Sequence, residues 1–366
     1  MKKTKIVHVI SSLKIGGAEA LVCSLIEQLS TEFEHHVIYF HDGPHRQTLT
    51  NMGIPVYHIT GKLMQYDIFM VFKLISTIKK INPDILHGAL WAANFFARIA
   101  GRLLNIKTIN AVHLIVDDDG PVRNTLDYLT LHMADHLIAV SESVAASVTK
   151  KFKIPKNSIT VIPNGINHYQ LVAKSTQKAL PRSILGLSPE HFIIGSVARF
   201  VPFKNHALLL DCFAQLVQKY PHARLLILGL GPLEEQLRAQ AQKLEITDTV
   251  IFIIGQPACD YYPLFDCFVQ PSAYEGLSIA LLEALCFKLP VIVTGINTHH
   301  DVITHTTHGL VITPNNHAEF NHAVELLITQ PLVCKQLGYA GFDLVQKQYT
   351  IQTMAHHYAG VFCEEL

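Results

Sequence analysis

Two glutamates eight residues apart, Glu275 and Glu283, flank a run of small residues in QPSAYEGLSIALLEAL, between apolar runs that read as buried strands. The start of EGLSIALLEAL has the small and apolar content of a helix, so Glu275 precedes that helix and Glu283 lies on it. At about 1.5 Å per residue the two carboxylates stand roughly 12 Å apart along the axis. The helix N-terminus between them offers unpaired N–H groups and the positive end of the dipole, a ready place for a diphosphate. A nucleotide sugar has about that span from sugar hydroxyls to ribose hydroxyls, so one segment can hold sugar, diphosphate and ribose. The plainer alternative makes Glu275 a helix cap and Glu283 a solvated surface residue.

Further candidate groups follow other apolar runs. In GSVARFVPFKNHALLL, Arg199 and Lys204 stand between a strand and the next helix, where two cations can neutralise a diphosphate leaving group. Gly16 and Gly17, in SSLKIGGAEALVCSL, let backbone approach a ligand ahead of a helix. They form neither a dinucleotide fingerprint nor a Walker loop, because the G-x-G-x-x-G spacing and the Gly-Lys-Ser/Thr are missing. Gly229 and Gly231 in LILGLGPLEEQL, and Gly255 in VIFIIGQPACDYY, mark turns that can present backbone groups to a base.

The elements that must position these residues alternate regularly. Strands are expected at KIVHVI, HHVIYF, VYHI, DILHGA, KTINAVH, HLIAVS and ITVIPN, with helices over Ala18–Ser30, 67–81, 91–104 and 122–134. A second alternation runs FIIGSVAR, helix 205–219, ARLLILG, helix 232–243, VIFIIG, CFVQPS, helix 276–287, PVIVTG and GLVITP, before helices 317–328, 331–346 and 350–364. Such βαβ alternation implies parallel sheets covered on both faces. With 366 residues, two domains are expected: 1–168, a linker over 169–182, then 183–345. Residues 346–366, with Tyr358 and Phe362, are expected to pack back on the first domain. Ligands of doubly wound sheets bind beyond the carboxyl ends of the strands, and a cleft between two halves is the default site.

Composition narrows the class. The chain is 49% apolar and 16% charged, with zero net charge when His is neutral, which marks a folded protein and gives no sign of nucleic acid. Its 22 His are scattered, and its seven Cys include no Cys-x-x-Cys pair. Buried reduced thiols of a cytoplasmic protein are the expectation. MKKTKIVHVISSL reads as a first strand and is too polar for a secretory leader. No apolar stretch reaches membrane-spanning length.

GGAE at 16–19, NAVH at 110–113, AVSES at 139–143, VIPNGIN at 161–167, VARFVPFKN at 197–205, LGLGP at 228–232 and PSAYEGLSIALLEAL at 271–285 occur in that order. Together they resemble the family-4 retaining glycosyltransferases of the GT-B fold (glycosyl transferases group 1) over nearly the whole chain. The resemblance implies an α/β GT-B architecture, two doubly wound Rossmann-like domains facing across a cleft, with an N-terminal acceptor domain and a C-terminal nucleotide-sugar domain. It implies that Glu283 holds the ribose hydroxyls, and that Glu275 with the backbone of Gly276, Leu277 and Ser278 holds the donor sugar and distal phosphate. Arg199 and Lys204 would clamp the diphosphate, Gly16 and Gly17 would approach the phosphate or acceptor, Gly231 and Gly255 would border the nucleotide, and His113 would sit beside the reacting sugar.

Transfer would then run from a nucleotide diphosphate sugar of UDP or GDP type to a glycan or lipid-linked acceptor, in polysaccharide or lipopolysaccharide synthesis. Retention by front-face substitution, no cofactor and no metal are expected. Asp117, Asp118 and Asp119 in VDDDGPVR read as a solvated loop with a possible acceptor contact. Two departures stand out: Asn167 where Asp is common, and Thr298 and His299 where paired glycines usually follow the strand. Two other readings are a sugar-nucleotide 2-epimerase on the same fold and an inactive GT-B scaffold. Residues 62–80, with Phe69, Met70, Phe72, Lys73, Lys79 and Lys80, read as a basic amphipathic helix, giving peripheral contact at the inner membrane face as the furthest expectation.

Overall fold

The run KIVHVISS forms the first strand, β1 (Lys5–Ser12), and is buried along its middle as a strand inside a parallel sheet must be. The computed structural model describes residues 3–61, 68–116, 120–177 and 180–365. They fall into two units, Met1–Gly165 with Ile351–Leu366, and Ile166–Thr350.

In the first unit, β2 (Glu34–His41), β3 (Val56–His58), β4 (Ile85–Ala89), β5 (Lys107–Val112), β6 (His136–Ala139) and β7 (Ile159–Val161) join β1. The sheet is parallel, with order β3-β2-β1-β4-β5-β6-β7. The order reverses between β1 and β4, the switch point where such sheets open a crevice. His8 of β1 lies opposite His87 of β4. The imidazoles bond through Nδ1 atoms at 2.9 Å, and His8 Nε2 meets His35 Nδ1 at 2.9 Å. The C-terminal helix Ile351–Glu364 covers this row, with Tyr358 and Phe362 edge-on to His87.

The second unit carries β8 (Phe192–Val197), β9 (Ala223–Gly229), β10 (Val250–Ile254), β11 (Cys267–Gln270), β12 (Val291–Thr294) and β13 (Leu310–Ile312). All pairs are parallel, in the order β10-β9-β8-β11-β12-β13. Its core joins Phe200, Leu209, Phe213, Leu225, Ile227 and Ile292 to the flanking helices. The switch point here lies between β8 and β11, the two strands whose ends carry Arg199, Lys204 and Glu275.

Several segments, the helix His45–Asn51 among them, differ from the sequence expectation. Most of 169–182, read as a linker, is the helix His168–Gln177, whose polar surface hides its periodicity and whose start is fixed by Asn167 Oδ1 accepting from Gln170 N at 3.1 Å. The helix Glu142–Phe152 was not anticipated either; Ser141 caps it, accepting from Val144 N. Residues 62–67 of the amphipathic segment and Asp117, Asp118 and Asp119 lie outside the described residues.

Candidate active site

The short strand β11 ends at Gln270, and the chain then turns through Pro271–Ser278 into the helix Ile279–Cys286. This helix begins later than the sequence suggests because Ser278 is its N-cap, its hydroxyl accepting from Leu281 N at 3.3 Å. Glu275 is therefore no cap. It is 3% exposed, and Oε1 takes three donors: Gln270 Nε2 at 2.6 Å, the Ser272 hydroxyl at 2.7 Å and the Lys204 ammonium. Oε2 takes none among the described residues, so the carboxylate is locked by one oxygen and offers the other. Burial alone would raise this carboxyl; Lys204, His299 and the Ser272 hydroxyl outweigh it and hold the group below its usual value.

Gln270 connects the segment further, its Oε1 accepting from the Ser278 hydroxyl at 2.9 Å. The Thr294 hydroxyl at the end of β12 donates to Ser272 O at 2.5 Å, and the Thr294 carbonyl accepts from His299 Nδ1 at 2.8 Å. Neither Gln270, Ser272 nor Thr294 was singled out in the sequence. A Gln ending the buried run CFVQ was the available signal, since a polar side chain in such a strand needs partners.

Lys204 and Arg199, paired by sequence as a diphosphate clamp, differ in their surroundings. The Lys204 side chain is 14% exposed and committed to Glu275. Its loop is fastened to the Glu275 loop by Ala273 N donating to Phe203 O at 2.8 Å and by Phe203 stacked on Tyr274 at 4.4 Å. Arg199 is exposed and its guanidinium makes no hydrogen bond or ion pair among the described residues. Its backbone is held by its neighbours, Ala198 N donating to Leu228 O and Phe200 N to Leu230 O, both at 3.0 Å.

Gly231 serves this positioning. A Cβ there would lie 2.5 Å from Phe200 O, at a φ of +159° that side chains avoid. Its small size thus lets the β9 turn press on the segment bearing Arg199. Gly255 follows β10 at φ +65° with open space around it, a left-handed turn.

Glu283, half-buried on the capped helix, accepts from the Tyr262 hydroxyl at 2.9 Å. Burial pushes its carboxyl up to about 7, against the Tyr262 hydrogen bond that favours the ionised form. Tyr262 is fully buried and stacked on Phe287 at 5.3 Å, which fixes its hydroxyl. Gly276, Leu277 and Ser278 are buried between the two glutamates. The second unit thus brings Glu275, Lys204, Gly276, Leu277, Ser278 and Glu283 onto one segment and its support.

In the first unit, Gly16 precedes the helix Gly17–Leu29, and the Glu19 carboxylate, bonded to the Ser12 hydroxyl at 2.6 Å, occupies the space a Gly16 side chain would need. His113 follows β5. Burial lowers its imidazole to about 4, so it is neutral at pH 7, and its Nε2 has no partner among the described residues. It lines a small cavity with His87, Leu21, Val22, Met354 and Tyr358. Leu90, at the end of β4, adopts φ +73°, a strained conformation for a side chain of that size, and precedes Trp91.

Two family models match the chain in succession: Glycosyltransferase Family 4 over residues 15–170 and Glycosyl transferases group 1 over residues 178–343. The chain belongs to this glycosyltransferase family. The glycosyltransferase is 25% identical over 304 residues to the putative glycosyltransferase EpsF of Bacillus subtilis, covering 79% of each chain. It is 23% identical over 367 residues to the UDP-Gal:alpha-D-GlcNAc-diphosphoundecaprenol alpha-1,3-galactosyltransferase of Escherichia coli, covering 94% of this chain and 95% of that one. The solved structure of Anabaena Alr3699/HepE in complex with UDP-glucose superposes with a TM-score of 0.86 at 19% identity, covering 98% of this chain and 99% of that one. The fold of the glycosyltransferase is GT-B.

Proposed function

We propose that this glycosyltransferase moves a sugar, with retention and without a metal, from a nucleotide diphosphate sugar to a lipid-linked or polysaccharide acceptor. The observation that carries the reading is the pair of glutamates at either end of one capped segment, Glu275 oriented by Lys204, Gln270 and Ser272, and Glu283 oriented by Tyr262. Glu275 Oε2 is set to accept a donor-sugar hydroxyl, Glu283 a ribose hydroxyl, and the amides between them the diphosphate. The E. coli relative named for a UDP-Gal donor and a diphosphoundecaprenol acceptor, and the HepE complexes with UDP and UDP-glucose, support the donor class and a lipid-linked acceptor.

In the reaction, the acceptor oxygen attacks the anomeric carbon from the face the diphosphate leaves. The bond to the phosphate oxygen breaks, the glycosidic bond forms, and the acceptor proton passes to a diphosphate oxygen. Arg199 and Lys204 stabilise the charge that develops on the leaving group. Lipid access is served by the helix Ile68–Ile81, whose exposed residues Phe72, Lys73, Lys79 and Lys80 suit an anionic bilayer surface. Among the described residues no helix is long and apolar enough to cross a membrane.

The test is a thermal-shift panel of UDP, GDP, ADP and their sugars on the wild type, Glu283→Ala and Arg199→Ala. A rise for one nucleotide, lost in both variants, is expected by mass action. The anomeric configuration of the product, read by NMR, decides retention. Folded protein that binds no nucleotide would leave the inactive scaffold as the better account.

A further inference from the structure

His299 stands on a short helical turn after β12, where the sequence departs from the small residues usual at that place. It is 1% exposed. Its Nδ1 donates to Thr294 O at 2.8 Å, which fixes the ring and puts the proton of the neutral form on that nitrogen. Nε2 has no partner among the described residues. Hydrogen bonds run on from the same strand end: Thr294 hydroxyl to Ser272 O, and Ser272 hydroxyl to Glu275 Oε1. The charged and titratable groups facing His299 are Glu275, which favours its protonation, and Lys204 and His300, which oppose it; burial opposes it most.

The proposed reading gives Lys204 two tasks. It neutralises buried Glu275 in the free protein, and it meets the diphosphate in the complex. A diphosphate carries more charge than one carboxylate, and the lysine stem is long and flexible, so the ammonium turns to the phosphate. Glu275 would then be left as a buried carboxylate without a counter-ion, a costly state. We propose that His299 is a positioning residue that takes up a proton and replaces Lys204 as the counter-ion of Glu275 when the donor's diphosphate draws Lys204 away. The departure of Lys204 removes the ammonium that opposes a charge on the ring and leaves the carboxylate that favours it. Glu275 thereby stays ionised, and its Oε2 remains an acceptor for the sugar.

This inference rests on the donor site proposed above, and the experiment separates the two. Titration calorimetry with UDP at pH 7, in two buffers of contrasting ionisation enthalpy, counts the protons taken up on binding; GDP replaces UDP if only GDP binds. Wild type should take up roughly half to one proton more than His299→Asn, whose amide can still donate to Thr294 O. Uridine, which has no phosphate to attract Lys204, should show no such difference, and this control removes any proton exchanged at Glu283. Lys204→Met provides a second variant should His299→Asn not fold. It has no ammonium to displace, so its extra uptake should vanish. Equal proton counts for wild type and either variant would overturn the role of His299 while leaving the donor site standing. Absence of nucleotide binding by folded wild type would overturn both.

Discussion

Lys204 and Glu275 form an ion pair that ties the loop after β8 to the loop after β11 across the switch point of the second sheet. Both side chains are largely withdrawn from water, at 14% and 4% exposure. Removing the cation leaves the carboxylate buried, so Lys204→Met should cost roughly 3 kcal/mol at pH 7. Glu275 has a folded value below its ordinary 4.5. Its contribution is therefore complete above 4.5 and lost as pH falls through the lower folded value. The stability gap between wild type and Lys204→Met, from urea unfolding, should narrow as pH falls toward and below 4.5. A gap that stays constant would mean that the pair is not what holds Glu275 ionised.

Arg199 is exposed and unpaired among the described residues, in contrast to Lys204. Its substitution should act on donor binding and rate and not on folding. Arg199→Ala is expected to lower kcat by about 100-fold, the scale of one lost leaving-group contact. Unfolding free energy should change by no more than about 0.5 kcal/mol. A large loss of stability would assign Arg199 a structural task.

Burial, outweighing the Tyr262 hydrogen bond, pushes the Glu283 carboxyl up to about 7, so it should titrate near neutrality. In the proposed donor site the ribose diol needs the ionised acceptor, so the nucleoside of whichever nucleotide binds should bind more tightly as pH rises from 6 to 8. Glu283→Gln should bind weakly with no inflection. Tyr262→Phe removes the hydrogen bond that favours ionisation and should move the midpoint upward. A midpoint unmoved in Tyr262→Phe would detach the hydroxyl from this equilibrium.

Buried neutral histidines should make the first unit acid-labile. Burial depresses His8 well below its ordinary 6.5, His87 to about 3 and His35 to about 4. The unfolded chain takes up protons from 6.5 downward while the folded chain does not. Stability is thus complete above 6.5 and declines as pH falls toward about 4, by about 1.4 kcal/mol per pH unit for each histidine. Thermal unfolding of His87→Phe should show a flatter profile between pH 7.5 and 5 than wild type. Parallel profiles would show that the row is not the source of the lability.

Gly231 tests how Arg199 is held. In Gly231→Ala the new methyl meets the Phe200 backbone, so stability should fall by roughly 1–3 kcal/mol. Activity should fall with it because the Arg199 segment must move. Calorimetry together with kcat/KM reads both, and an unchanged melting point would place the contact elsewhere.

Most of this architecture was legible in the residues. The apolar runs gave all thirteen strands, and the helix Trp91–Leu104 was bounded to the residue. Glu275 and Glu283 were found because they flank a segment with helix-starting residues. What the sequence hid was their support. Tyr262 lies 21 residues before Glu283 in a short 3-10 turn, too brief to have a period. Gln270 and Ser272 donate to Glu275 through a turn whose course no pattern specifies. Polar helices such as His168–Gln177 were missed because their buried stripe is narrow, and the cap residues were the better guide. The pairing of Lys204 with Glu275, in place of a symmetric clamp with Arg199, depends on two loops meeting across a switch point, and spacing along the chain carries no trace of it.

The first unit takes its last helix from the far end of the chain, returning at Ile351 after the whole of the second unit has been made. During synthesis the second unit therefore has all its residues before the first does. Until Ile351–Glu364 emerges, the face bearing His8 and His87 lacks Tyr358 and Phe362 and stays open to water. A premature stop after Thr350 would spare every residue proposed to hold the donor. It would release a chain with a finished second unit and an uncovered first unit, a substrate for proteolysis instead of a smaller enzyme.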